Sequence, residues 1–284
     1  MGMSVNTNTG AMAALQALNS TTKGLATVQS RINSGLNVSS TKDDSASFTI
    51  AQKLRGDLGG LKAVTSSLSR AKSVTDVAVA GAEQISDVVN QMKTLAKQAS
   101  DSGVDQASRD AYNKDFTALR DQITTIVNSS EFNGTNLLKA SGGTVSALQS
   151  LGSVSSGGSY TADTLTVANQ NMGLPTSGSG VLTTTSTISS ASDASTMVGT
   201  LDVLGKNINT KLSDLGSASR KIDAQSAFAS KLSDAIEGGI GNLVDADLAK
   251  ESAKLQALQV KQQLGVQALS IANQAPQTIT SLFR

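Results

Sequence analysis

Apolar residues return at heptad spacing from residue 50 to residue 99, and a period held for that long leaves few folds open. One seam reads Ile50, Val64, Ala71, Ala78, Ile85, Met92 and Ala99; the interleaved seam reads Leu54, Leu61, Leu68, Ala82, Val89 and Ala96, interrupted by Asp57 and Thr75. Two apolar positions in seven put a narrow stripe on one side of a helix, the pattern of a coiled coil. A helix over residues 44–100 would extend about 85 Å at about 1.5 Å per residue, farther than a compact domain is wide. Such an element suits reach and assembly, not the enclosure of a catalytic pocket.

The period returns near the other end. Leu201, Ile208, Leu215, Ile222, Ala229, Ile236 and Leu243 follow one another at intervals of seven, with Leu204, Ala218 and Leu232 in part of a second seam. Tyr112, Phe116, Leu119, Ile123 and Ile126 form a shorter stripe, and Asp101, Ser102 and Gly103 supply the turn before it. Long helices with matching stripes pack on one another. The expected fold is mainly α: an elongated antiparallel helical bundle or coiled coil with a small β and loop insertion in the middle.

That insertion shows in the composition of residues 141–200. They carry two charges, Asp163 and Asp193, and 34 of the 60 are Ser, Thr or Gly. Alternation over Tyr160 to Val167 reads as strand, Pro175 with Gly173, Gly178 and Gly180 as loop, and Asn133-Gly134 as a hairpin turn just upstream. Both chain ends are nearly uncharged yet keep stripes: Leu15, Leu18, Leu25, Val28, Ile32 and Leu36 in the first, Val244, Leu248, Leu255, Leu258 and Leu269 in the last. Glycines separate each end from the rods, Gly35 after the first and Gly238, Gly239 and Gly241 before the last. Helices so sparsely charged and narrowly striped gain little by folding alone, so they need partners from the other end of the chain and from other molecules. The expected division is residues 1–33 with 245–284 as a terminal coiled coil, 34–140 with 201–244 as a rod of long helices, and 141–200 as a surface region.

Charge and composition exclude much chemistry. With 23 Lys and Arg against 22 Asp and Glu, a net charge of +1 gives no reason to expect nucleic acid as a partner, and aromatics at 2% are too few for base stacking. The chain has no Cys and no His, which removes thiolate and imidazole metal ligands and the common nucleophile–histidine systems. No enzyme activity, cofactor or metal is expected. Nor does a secretory signal or an 18-residue apolar run point to membrane insertion.

Several motifs have plainer readings. Thr41 to Asp44 has the Thr-x-x-Asp spacing that opens a helix, with Asp43 and Asp44 favouring first-turn amides. Ser20 to Lys23 and Ser69 to Lys72 match Ser-x-x-Lys, but no Lys-Thr-Gly or Ser-Asp-Asn accompanies them. Gly199 to Asn207 miscounts as a phosphate loop, because five residues separate Gly199 from Gly205.

Arg31-Ile-Asn-Ser-Gly-Leu36 followed by Ser40-Thr-Lys-Asp-Asp44 closely resembles the signature of bacterial flagellin. Asp245-Ala-Asp-Leu-Ala249, Ala272-Asn-Gln-Ala-Pro-Gln277 and the Ser281-Leu-Phe-Arg284 end agree with it, as do Asn6 to Asn8 and Phe132-Asn-Gly134. The likeness covers roughly residues 4–140 and 200–284 and implies a structural subunit of the extracellular flagellar filament used for motility. It further implies export by the flagellar type III apparatus without a cleaved signal. The implied partners are copies of itself and other flagellins, the export apparatus with a flagellin export chaperone, and the filament cap and hook-junction proteins. Assembly contacts would fall on Arg31, Asp43, Asp44, Leu255, Leu258, Leu269, Leu282 and Phe283. A hook–filament junction protein, which shares the two-ended plan, is the alternative. Two stretches depart from the family: Ser45-Ala46-Ser47 replaces Ala-Ala-Gly, and Gln91, Lys93 and Thr94 replace the Arg, Arg and Glu of members sensed by the animal innate receptor. Neither Gln nor Lys reproduces a bidentate Arg contact, so receptor activation is not implied.

Overall fold

Every helix begins where a short polar side chain can take up its free amides. The computed structural model describes residues 7–154 and 158–282, with side chains except at 154 and 275–282. Its elements are α1 (Thr9–Ser34), α2 (Ser45–Ala99), α3 (Gln106–Ser129), β1 (Val145–Leu148), β2 (Ser153–Val154), β3 (Tyr160–Thr161), β4 (Thr164–Val167), α4 (Ala191–Val244) and α5 (Leu248–Leu282). Asn8 accepts the Ala11 amide at 3.0 Å ahead of α1, and Asp105 accepts the Ser108 amide at 3.1 Å ahead of α3. Ser190 accepts the Asp193 amide at 3.1 Å while donating to the Asp193 carboxylate at 2.7 Å, a reciprocal box ahead of α4. Such caps each contribute about 1 kcal/mol. At α2 the cap is Asp44, which accepts the Ala46 and Ser47 amides at 2.9 and 3.2 Å. The Thr-x-x-Asp reading, with Thr41 opening the helix, therefore misses the start by three residues: Thr41 lies in the preceding turn.

The chain divides into two compact units, residues 1–58 with 234–284, and residues 59–233. In the second unit the heptad seams of α2 are sealed: Leu61, Val64, Leu68, Ala71, Ala78, Ala82, Ile85, Val89, Met92, Ala96 and Ala99 are all buried. Thr75, the polar interruption, is buried among them because its hydroxyl donates to the Ala71 carbonyl at 2.8 Å, which satisfies it inside its own helix. Leu201, Ile208, Leu215, Ile222 and Ala229 of α4 and Phe116, Ile123 and Val127 of α3 are buried as well. Lys72 reaches Asp223 at 3.0 Å and Lys93 pairs with Asp202, so α2 and α4 run antiparallel here. Arg109, buried although charged, closes the end of α2: Nη1 donates to the Ala99 carbonyl and Nη2 to the Val104 carbonyl at 2.9 Å. A cation on the free carbonyls of a helix end is favourably placed.

The low-charge region forms two small antiparallel pairs, β1 with β4 (Val145 opposite Val167) and, nested inside, β2 with β3. Asn133 and Gly134 have φ of 50° and 78°, the pair of positive angles that a tight hairpin turn requires, and Phe132 and Thr135 exchange both backbone hydrogen bonds across it at 3.0 and 3.1 Å. Two boundaries differ from the sequence expectation. Helix α4 starts at Ala191, inside the low-charge stretch, because Ser190 and Asp193 cap it. It also runs through Gly238, Gly239 and Gly241 to Val244. A helical glycine costs about 1 kcal/mol against alanine, and here Ile240, Leu243 and Val244 pack with Val38, Ala51, Leu36 and Phe48 on the far side of that cost.

Candidate assembly surface

Unit 1 is organised by a joint between the end of α1 and the start of α5. Gly35, at φ 71°, turns the chain out of α1 and donates to the Arg31 carbonyl at 2.9 Å; a left-handed residue at this position suits glycine. The next residues lie against the end of α4: Asn37 and Val38 donate to the Val244 carbonyl at 2.7 and 3.2 Å, and Ala246 donates to the Gly35 carbonyl at 2.8 Å. Asp43 folds back on this link, accepting the amides and hydroxyls of Ser39 and Ser40 at 3.0–3.1 Å. The Ser39 hydroxyl, and then the two amides, hold the Asp43 carboxyl below the usual range. Asp44 is lowered by the Ser47 hydroxyl and the amides it caps.

From this joint α1 and α5 pair antiparallel. Asn8 Nδ2 donates to the Ala272 carbonyl at 2.7 Å at one end, and Arg31 meets Glu251 at 3.7 Å at the other. Between them glycines let the helices close. A Cβ at Gly24 would lie 3.5 Å from the Leu258 side chain, and one at Gly265 would lie 3.3 Å from that of Leu18. Leu255, Leu258 and Leu269 are half-buried on the stripe that faces α1, and Leu25 and Val28 are the buried residues opposite. Glu251 is only 5% exposed; Oε1 takes Lys254 at 2.6 Å, while Oε2 is buried without a hydrogen-bond partner among the described residues.

The structure thus gathers Arg31, Asp43 and Asp44 at the joint and places Leu255, Leu258 and Leu269 along the hairpin. The Leu282 side chain and Phe283 lie outside the described residues. Leu15 and Leu248, both members of the expected stripes, are exposed and stand beside the seam, as does Ile50 of α2. A second apolar face was missed by the stripe reading. Val260, Leu264 and Ile271 are exposed, the last by 69%, and at about 100° per residue they share the side of α5 turned away from α1. On α1, Met12 is 66% exposed and Leu15 lies one turn on. The spacing of 260, 264 and 271 is itself helical, and could have been found by scanning for a second stripe beside the first.

The Ser69 to Lys72 motif does not join its own two side chains by a hydrogen bond. Lys72 donates to Ser219 at 2.7 Å, not to Ser69, and the Asp223 carboxylate raises its pKa above the ordinary lysine value, so it is no base at neutral pH. Among the described residues no helix is long and apolar enough to cross a membrane.

A model of the bacterial flagellin N-terminal helical region matches residues 5–142, and one of the C-terminal helical region matches residues 198–283. The chain belongs to the bacterial flagellins. It is similar to flagellin FljM of Caulobacter vibrioides, 45% identical over 281 residues that make up 99% of this chain and 98% of the relative. FljN of the same organism is 46% identical over the same shares. A flagellin of Brucella melitensis is 34% identical over 99% of each chain. This flagellin is a structural subunit of the bacterial flagellar filament, and its mainly helical fold with a small strand insertion is the fold those relations imply. The two matched regions bracket residues 143–197, which hold the strands and the loops after them.

Proposed function

We propose that this flagellin polymerises through the terminal hairpin, using the apolar faces that α1 and α5 leave open. The observation that carries the reading is the exposure of Met12, Leu15, Val260, Leu264 and Ile271 on helices already joined by a different stripe. Exposed apolar residues scattered singly are ordinary, whereas a row at helical spacing is a contact surface. In this reading Arg31, Asp43 and Asp44 set the joint from which the hairpin projects. Leu255, Leu258 and Leu269 hold the helices in the register that presents the open faces, and Leu282 and Phe283 are assigned to subunit contacts with them.

The same reading assigns residues 1–33 with 245–284 to the filament core, 34–140 with 201–244 to the rod around it, and 141–200 to the outer surface. It takes the subunit outside the cell through the flagellar type III apparatus with its chaperone and without a cleaved signal. Filament cap and hook-junction proteins, and other flagellins, complete its partners. It gives the subunit no enzymatic role. No observation favours the hook–filament junction reading over a filament subunit.

Met12→Glu with Leu264→Glu tests the surface. The doubly substituted subunit should melt like the unsubstituted one and stay monomeric under salting-out conditions that yield long filaments of the latter by electron microscopy. Filaments of normal length would overturn the assignment.

A further inference from the structure

Unit 2 contains a cleft that assembly does not explain. Its floor is Ile85 of α2, Ile123 of α3 and Ile208 of α4, and its roof is the loop running from Asn171 to Leu182. The cleft is open to solvent on one side and has a volume of about 160 Å³, similar in size to the roughly 150 Å³ cavity that accepts benzene in an engineered protein. One end of the roof is tied down by Gln170 and Met172, which donate to the Leu137 and Leu138 carbonyls at 2.7 Å each, and the loop closes on itself where Thr184 donates to the Pro175 carbonyl at 3.0 Å. Met172 and Leu182 are buried beneath it, while Val181 and Val203 stand exposed beside the opening.

One cation faces this apolar space. Lys211, on α4, is half-buried, and its Nζ donates to the Asn171 carbonyl. No carboxylate lies within 4.0 Å of it among the described residues, and it is half-buried beside the cleft. An ammonium has three donors, and one carbonyl occupies one of them. Asn207 lies one turn earlier on the same helix, also lines the cleft, and offers an amide beside the amine. Burial alone pushes the Lys211 pKa down, as expected of a cation that has lost water and gained no counter-ion.

We propose that this cleft binds a small amphipathic carboxylate, its single ring or short hydrocarbon body against Leu174, Val203 and Leu204, above the sealed floor, and its anionic head on Lys211 and Asn207. The volume limits the body to about one ring. A single cation selects a monoanion over a dianion, and the apolar floor rejects a strongly hydrated ion such as free phosphate. A cationic or neutral ligand of the same shape leaves the amine uncompensated.

The test uses the full-length subunit kept monomeric and 4-fluorophenylacetate as the probe, followed by ¹⁹F NMR. Saturable one-to-one binding is expected, with the neutral isostere 2-(4-fluorophenyl)ethanol weaker by about tenfold or more, since charge-assisted bonds are about twice as strong as neutral ones. Lys211→Gln should bring the acid down to the alcohol's affinity without changing the thermal melt, and Lys211→Arg should retain most of the difference. Val203→Trp, at the exposed mouth, should weaken acid and alcohol alike. The proposal is overturned if the acid does not saturate, if acid and alcohol bind equally, or if Lys211→Gln or Val203→Trp leaves the acid's affinity unchanged.

Discussion

The seams of α2 in unit 2 and the seam between α1 and α5 in unit 1 share one heptad spacing, yet the first is closed to water and the second is half open. Around α2 the difference comes from a third layer: Phe116 and Ile123 of α3, with Leu137 and Leu138 beyond it, are fully buried. In the hairpin only two helices meet, so Leu18, Leu255, Leu258 and Leu269 stay half-buried and the outer faces stay bare. Heptad spacing tells which residues will meet a partner. It does not tell how many partners will come, and that number separates a closed core from a pairing that leaves its outer faces open.

The comparison can be broken by charge. Leu68 is fully buried in the sealed seam, where an uncompensated ion costs several kcal/mol. Leu68→Asp should abolish the cooperative melt of the monomer followed by circular dichroism. Leu264→Asp on the open face should leave that melt in place, and equal losses at the two sites would erase the distinction.

A smaller effect is expected within the hairpin seam. Full burial makes Leu→Ala cost about 2–5 kcal/mol; Leu258 is only half-buried against Gly24, so Leu258→Ala should cost about 1–2 kcal/mol. Amide exchange should quicken along α1 and α5 and stay unchanged around Phe116. Smaller still is the effect at the exposed pair of Lys93 with Asp202, where Lys93→Ala should lower the thermal melt only slightly. A loss comparable to that of Leu68→Asp would mean that ion pairs, not the seam, hold α2 to α4.

The slightest effect is confined to acid. Asp43 and Asp44 sit below their ordinary value of 3.8 in the folded chain, so as pH falls the unfolded chain takes up protons first. The stability from their hydrogen bonds is complete above that value and is lost as pH descends through the folded values. Asp43→Asn should therefore flatten part of the fall in melting temperature between about pH 5 and pH 3. With no His and no Cys in the chain, wild-type and substituted subunits should both be level from about pH 6.5 to pH 8.

The long helices were legible because their stripes repeat over many turns and any local exception is outvoted. Thr75 is the clearest exception, polar by type yet buried because its hydroxyl bonds within its own helix. Local punctuation was read less well. Gly238, Gly239 and Gly241 look like a break, but contacts from Ile240, Leu243 and Val244 outweigh their weak preference. Arg109 reads as a surface charge and instead closes α2, since its partners are backbone carbonyls that leave no mark in the sequence. The same holds for Lys211, whose position under the Asn171 loop depends on a fold of residues 168–190 that carries no periodic signal. Of the joint, the sequence singles out Arg31, Asp43 and Asp44 but not Glu251, which stands among ordinary charged neighbours at the start of α5.

The antiparallel pairings of each unit impose a grammar on the length of the chain. Twenty-one residues forward from Lys72 to Lys93 are answered by twenty-one backward from Asp223 to Asp202, and in the hairpin a step back from Gly24 to Leu18 is met, to within one residue, by the step forward from Leu258 to Gly265. Adding or deleting one residue inside α1, α2, α4 or α5 rotates everything beyond it by about 100° and turns a whole stripe off its partner. Insertions between β1 and the start of α4 do not alter either ladder. Loops of this middle segment can therefore change length without shifting either ladder, provided Val145, Val167, Met172, Leu182 and Ile188 stay buried, while the two ends of the chain remain bound to each other's length.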